Sequence, residues 1–342
     1  MQSLLRVRRE PPRPRDRIEG LSGRLRVCIR ACSRNLGDPV DSYIHVGSGF
    51  IYLDVDLERF RSYVGRARSG AELGRVLEEV DLRVVRDYAA FSEAGHRLVI
   101  PGSTVKGNVR GRLELSFIPK EGYVRSCLIR AAKQPTREPP RGTQGWRHFR
   151  IWSRSLSFAR EDACDYSRRE GGVCLICDLF GTAGLQGLIH FSDFVGVNID
   201  YTTLSPLDLP TGEKLEAAPP GSTFLGHVGF RNLRPAELGL LLYGMGLRSS
   251  KEGRPVLLGK HKYRRYGVVL GVVRYVVEYL ELAEFSEPLR VRDTTVAPGS
   301  GVTGADLDRL IELLVNTARE EFVEELLDVD EVGELERVEA GV

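Results

Sequence analysis

The sequence predicts an α+β protein built on the split βαβ order of ferredoxin-like domains, and three observations carry that prediction. Set apart from irregular stretches, the periodic segments follow one another as strand, helix, strand, strand, helix, strand. The 342 residues, 42% hydrophobic and 28% charged, match the average of globular proteins and suffice for a large core, which excludes wholesale disorder and fibrous repeats. The longest apolar run, 267–282, is broken by Arg274 and Glu278 and falls short of the ~18 residues a membrane span needs. The opening MQSLLRVRREPPRPRDR has no apolar stretch of the signal-peptide kind, so the expectation is a cytoplasmic protein without a membrane partner.

In chain order, residues 1–20 hold six Arg with Pro11, Pro12 and Pro14, and read as a basic flexible arm. LSGRLRVCIRACS (21–33) alternates and predicts a strand with Leu25, Val27, Ile29 and Ala31 on one face. A helical insertion over 55–95 contains the amphipathic AELGRVLEEV. HRLVIPGSTVKGNVRGRLELSF predicts strand, break and helix, with Pro101 and Gly102 ending the strand and Ser103 or Thr104 capping the helix. Residues 119–147 are rich in Pro, Arg, Gly and Lys with little periodicity and predict an irregular insertion. GLIHFSDFVGVNID (187–200) and GSTFLGHVGFRNL (221–233) predict strands. Pro235 opens the helix PAELGLLLYGMGL. Residues 265–282 predict a long strand or hairpin, and 303–327 a helix with apolar side chains at helical spacing.

The net charge of +2 conceals an asymmetry. Residues 301–342 hold thirteen Asp/Glu against three Arg, a net −10, so residues 1–300 carry +12. A basic body attracts phosphate chains, and an acidic helical tail is a solvated face or a protein-binding one. Arg outnumbers Lys 42 to 7 and Asn plus Gln total nine, as in heat-adapted proteomes.

Three groups of residues carry chemistry. His148, Cys164, Cys174 and Cys177, the last two forming a CxxC, supply the one-His, three-Cys set of a closed structural zinc site, although the same residues are compatible with buried free thiols. In IPGSTVKGNVRGR, Lys106 and Arg110 are four residues apart on one helical face, with Arg112 beside them. A helix N-terminus and these cations favour an anion, and a capped surface helix with ordinary basic residues shows the same spacing. In LGKHKYRRYG, Lys260, Lys262, Arg264 and Arg265 sit with two tyrosines between glycines, a composition suited to phosphates and stacked bases; a basic hairpin turn is the alternative.

Several segments together resemble the RAMP superfamily of CRISPR-associated proteins. IPGSTVKGNVRGRL resembles its glycine-containing helix, YIHVGSG (43–49) its first glycine segment, CDLFGTAGLQGLIHFSDF (177–194) and EAAPPGSTFLGHVGF (216–230) two of its strands, and 258–271 its glycine-rich loop. With a cysteine-rich insertion before the FG strand, the chain is most similar to the repeated backbone subunit of the type III-A (Csm) effector complex. The resemblance implies a discontinuous RRM-like core (21–54, 96–118 and 186–300), a zinc-binding insertion (119–185) and an acidic helical C-terminal segment (301–342). It implies single-stranded guide RNA and target RNA as partners, within a multi-subunit CRISPR complex, and His45 among the RNA-binding residues. It also implies cleavage of target RNA by one loop aspartate with a divalent metal such as magnesium. Asp54 is the nearest acidic residue after the glycine segment, though five residues beyond Gly49. Two other activities fit: a stand-alone guide-processing endoribonuclease with His45 as general base, and a non-catalytic scaffold.

Overall fold

A computed structural model describes residues 4–34, 38–47, 89–129, 136–168, 171–263 and 267–341, with scattered positions between 53 and 84. Strand β2 (Leu21–Ala31) is the centre of the main sheet. Its alternation works as predicted: Leu25, Val27 and Ile29 are fully buried, while Arg24, Arg26 and Arg30 face outward and pair with Glu281, Glu278 and Glu252. The long strands β13 (Thr223–Leu233) and β16 (Val272–Leu282) flank β2, both antiparallel to it. Beyond β13 come β10 (Phe194–Gly196), β7 (Arg97–Ile100) and β6 (Glu93–Ala94), and beyond β16 comes β14 (Val256–Leu257). β9 (Ile189–Phe191) also pairs with β13, and β19 (Gly301–Val302) with β16. The neighbour order β16-β2-β13-β10 is that of the split βαβ unit.

One face of this sheet is covered by helices. α1 (Gly102–Ser116) buries Val105, Val109 and Leu113, and α4 (Pro235–Gly244) buries Leu238, Leu241 and Leu242, all in one cluster with the inward side chains of β2. α5 (Gly304–Glu321) lies against α4 so closely that a Cβ at Gly239 would stand 2.0 Å from the Leu314 carbonyl oxygen. Outside the core, α2 (Trp146–Leu156) packs on α6 (Glu331–Ala340), and the short α3 (Leu175–Phe180) follows the CxxC cysteines' first member. Smaller pairings are β1 (Arg6–Val7) with β8 (Tyr123–Val124), β3 (Ser42–Tyr43) with β15 (Val269–Leu270), and β4 (Leu53–Asp54) with β5 (Arg83–Val84). β11 (Ser205–Asp208) pairs with β12 (Lys214–Ala217), and β17 (Leu289–Val291) with β18 (Thr294–Val296).

Four expectations need correction. The arm expected to be flexible is docked: β1 joins β8, Glu10 bridges to Val173, and Arg13 and Arg15 both pair with Asp178. Neither Ser103 nor Thr104 caps α1; the Asp193 carboxylate accepts from the Gly102 N–H at 2.8 Å instead. The strand expected over 187–200 breaks at Ser192 and Asp193, where that cap is formed. The last predicted helix ends at Glu321, and Glu324 takes a positive φ before a separate α6. The AELGRVLEEV helix lies outside the described residues apart from Glu72 and Arg75.

Candidate metal centre and nucleic-acid interface

Cys127, Cys164, Cys174 and Cys177 bring four buried sulfurs together, all within 4.8 Å of one another. The Cys127 and Cys177 sulfurs are 3.4 Å apart and those of Cys127 and Cys174 3.7 Å. Backbone and guanidinium N–H groups point at this sulfur cluster. The Cys127 and Cys174 backbone amides donate to Cys174 and Cys164 at 3.4 and 3.3 Å, and the Arg110 guanidinium donates to Cys177 at 3.2 Å. Hydrogen bonding among the four pulls the Cys164 and Cys174 thiols down and pushes those of Cys127 and Cys177 up. Donation from backbone and guanidinium N–H groups to sulfur favours the thiolate form that binds a metal.

The set differs from the expected one: the fourth sulfur is Cys127, and His148 is elsewhere. His148 lies on α2 with its ring 5.0 Å from that of Tyr263, and burial, with Lys262 nearby, lowers it to about 4. Cys127, three residues after β8, joins the cluster by a contact over 47 residues to Cys174 that no local spacing marks.

Helix α1 presents different faces to different neighbours. Its Arg110 side chain turns inward, donating to Glu114 at 2.7 Å, the Gly181 carbonyl at 2.6 Å and Cys177. Arg112 is 4% exposed and forms an ion pair with Glu331 of α6 at 3.0 Å, where both side chains are buried. Neither guanidinium therefore sits on an open phosphate-binding face, a correction to their expected role. The reason is that a buried carboxylate and the sulfur cluster compete better for them than solvent does. Asp193 likewise fills the α1 N-terminus that the sequence offered to an external anion.

The cations that remain accessible border a groove. One cavity of about 690 Å³ is lined by Gly107, Gly111, His148, Lys260, Lys262 and Tyr263 among others. A second, of about 500 Å³, is lined by His45, Gly47, Thr104, Leu258 and Gly259. Both are walled by Gly107, Asn108, Lys260 and Lys262, so they adjoin along α1. Lys106 is half-buried one residue before Gly107, and its ammonium is held below its usual value by burial and by Arg110. Lys260 is mostly exposed and pairs with Glu213 at 2.9 Å. His45 is 7% exposed, with Nδ1 2.6 Å from the Glu216 carbonyl oxygen, and burial lowers its pKa, which keeps it neutral. That fixed, buried ring borders the groove without reaching out of it.

Arg264 and Arg265 lie outside the described residues. Asp54 is on β4, opposite Arg83 of β5. The sequence reading missed Cys127, Glu114, Asp193 and Glu331. For the first a signal existed, a fourth cysteine close to the CxxC insertion; the three carboxylates have no local signature.

A family model described as the RAMP superfamily matches residues 39–330. No protein of curated function matches the chain. The crystal structure of Thermofilum pendens Csc2 is similar over 93% of this chain and 81% of its own, at 12% identity and a TM-score of 0.33.

Proposed function

The chain belongs to the RAMP superfamily, and from that premise we propose that it binds single-stranded guide RNA as a repeated backbone subunit of a multi-subunit CRISPR complex of the type III kind. The observation that carries this reading is the groove along α1, where two adjoining cavities have Lys260 and Lys262 in their common wall and Lys106 nearby. Glycines at its floor and rim let a nucleic-acid backbone come close, and the lysines neutralise phosphates without reading bases. A protein that leaves sequence recognition to base pairing needs nothing more specific.

Cys127, Cys164, Cys174 and Cys177 are proposed to hold one structural zinc. Four sulfurs at about 2.3 Å from a tetrahedral ion lie roughly 3.8 Å apart, close to the 3.4 and 3.7 Å separations here. Four thiolates would leave no open coordination position, so the ion would serve structure rather than chemistry. Arg110 offsets part of the cluster's negative charge and ties it to α1. Cleavage of target RNA by Asp54 with a divalent metal such as magnesium extends the proposal. A carboxylate there would act only once a guide–target duplex is in place.

The test uses the purified chain and CRISPR-repeat RNA. The expected result is salt-sensitive binding of single-stranded RNA with no cutting. Cutting at one fixed repeat position would replace this reading with a guide-processing enzyme. In the reconstituted complex, Asp54→Ala should keep target binding and lose metal-dependent cleavage; retained cleavage would remove Asp54 from the reaction.

A further inference from the structure

Residues 5–15, which composition alone marks as a loose arm, cross every segment that delivers a cysteine to the sulfur cluster. The Arg8 amide donates to the Val124 carbonyl at 2.9 Å, three residues before Cys127. Leu5 exchanges backbone hydrogen bonds with Ala159 and Glu161. The Arg9 guanidinium donates to the Glu161 carboxylate and the Asp162 carbonyl at 2.9 and 2.7 Å, just before Cys164. Glu10 and Val173 exchange both backbone hydrogen bonds, at 3.0 and 2.8 Å, next to Cys174. Arg13 and Arg15 reach the carboxylate of Asp178, next to Cys177, at 2.8 and 2.7 Å. The crossing at Glu10 is tight: a Cβ on Gly172 would stand 2.2 Å from the Glu10 carbonyl oxygen.

Little else holds the arm. Val7 is the one buried apolar side chain among residues 4–15, so docking depends on polar partners that separate segments must present together. Those segments converge where four sulfurs must be kept close. Without an ion, repulsion between thiolates and the entropy of the freed segments both favour separation. An ion bound by all four sulfurs supplies the convergence, because the free energy of metal binding is also free energy of folding for the segments it joins.

We propose that residues 5–15 are a metal-coupled strap: an ion at Cys127, Cys164, Cys174 and Cys177 and the docked arm stabilise each other, and loss of the ion frees the arm. The proposal rests on the zinc reading above. The coupling is reciprocal, so the factor by which the docked arm raises metal affinity is the factor by which the metal favours docking. In the docked state Glu161, Asp178 and Glu237 meet the charges of Arg9, Arg13 and Arg15. Release uncovers these guanidiniums and turns metal loss into a loose cationic segment.

The experiment compares the full chain loaded with zinc and stripped by a chelator, with zinc alone as the probe. Hydrogen exchange at the Leu5, Arg8 and Glu10 amides, which donate into the insertion, reads docking. Equilibrium competition with a chromophoric chelator reads zinc affinity. Stripping should raise exchange of the arm about fivefold or more, and added zinc should restore protection. Gly172→Ala wedges the arm at Glu10 from the insertion side, and Arg13→Gln/Arg15→Gln loosens it from the arm side without touching a cysteine segment. Each should weaken zinc binding by a similar factor, whereas Arg17→Gln, whose guanidinium pairs with nearby Glu19, should bind zinc as the wild type does. Thermal melting checks folding, and either loosening variant that folds decides the matter. If the wild type binds zinc but arm exchange ignores it, or a folded loosening variant keeps wild-type affinity, the strap fails and the zinc site stands. A wild type that binds no zinc overturns both.

Discussion

His148 shows how a residue chosen for its type can be assigned the wrong partner. Its side chain prefers the Tyr263 ring and a wall of the groove to the cysteines, and desolvation is the main reason its pKa falls to about 4. A histidine lowered on folding stabilises the native state above its unfolded value near 6.5, and that contribution is lost as pH falls from there toward 4. The full loss is on the order of 3 kcal/mol. His148→Gln should therefore flatten the fall in urea-unfolding stability between pH 7 and pH 4.5, and an unaltered pH profile would show that His148 is not buried neutral. Asp328 acts in a lower window. Burial alone would raise its carboxyl, but Arg248, Arg254 and Arg319 hold it at about 2. Its contribution is present above pH 4 and disappears as pH falls through 2, so Asp328→Asn should matter at pH 6 and not at pH 1.5. Cysteine identity was legible at this scale and cysteine grouping was not. Three of the four sulfurs sit in one stretch of sequence, and Cys127 joins them from 47 residues before Cys174.

At the scale of elements, α1 connects most of what the molecule is proposed to do. Its inward arginines hold the sulfur cluster and α6, and its glycines open onto the groove. The Arg112–Glu331 pair is buried on both sides, so Glu331→Gln leaves a guanidinium without its counter-charge and should cost about 3–5 kcal/mol. Guanidinium-chloride unfolding reads this directly; a cost below about 1 kcal/mol would mean that α6 does not anchor α1. Gly107→Ala has the opposite sign. With no heavy atom within 4 Å of the added Cβ, it should stabilise by about 0.5–1 kcal/mol, and a lowered melting temperature would show a hidden packing role. The cysteines couple to the same helix, so Cys174→Ser with Cys177→Ser should abolish the proposed zinc binding and expose 119–185 to protease. Zinc analysis finding one equivalent in that variant would remove the site. Strands and helices were legible because β2, β13 and α5 carry clean periods, while Pro101 with Gly102 and Pro235 mark where α1 and α4 begin. The cap of α1 was not, because Asp193 arrives from a turn between β9 and β10, two strands that the sequence joins into one.

Across the whole molecule, charge is distributed differently from the composition's first impression. The basic arm is part of the body, with Arg13 and Arg15 pinned by Asp178 and Arg13 also by Glu237. The acidic C-terminal segment supplies Glu331 and Asp328 to buried or half-buried arginines rather than standing free. Composition counts such charges but cannot say which are spent inside the fold, because their partners lie far away in the chain. The order of the central strands was legible, since it follows from the succession of periods. Of the expected basic face, Lys260 and Lys262 border the groove with Lys106 nearby, Lys260 paired to Glu213 and the other two half-buried. The central claim, that this groove binds single-stranded RNA through its phosphates, is tested most directly by the salt dependence of binding. Wild type is compared with Lys106→Ala/Lys260→Ala/Lys262→Ala, using fluorescence anisotropy on an unstructured RNA. At about 0.7 counterions released per single-strand phosphate contact, the triple variant should bind more weakly and lose about two units from the slope of log affinity against log salt. An affinity and a slope both equal to those of the wild type would contradict the account.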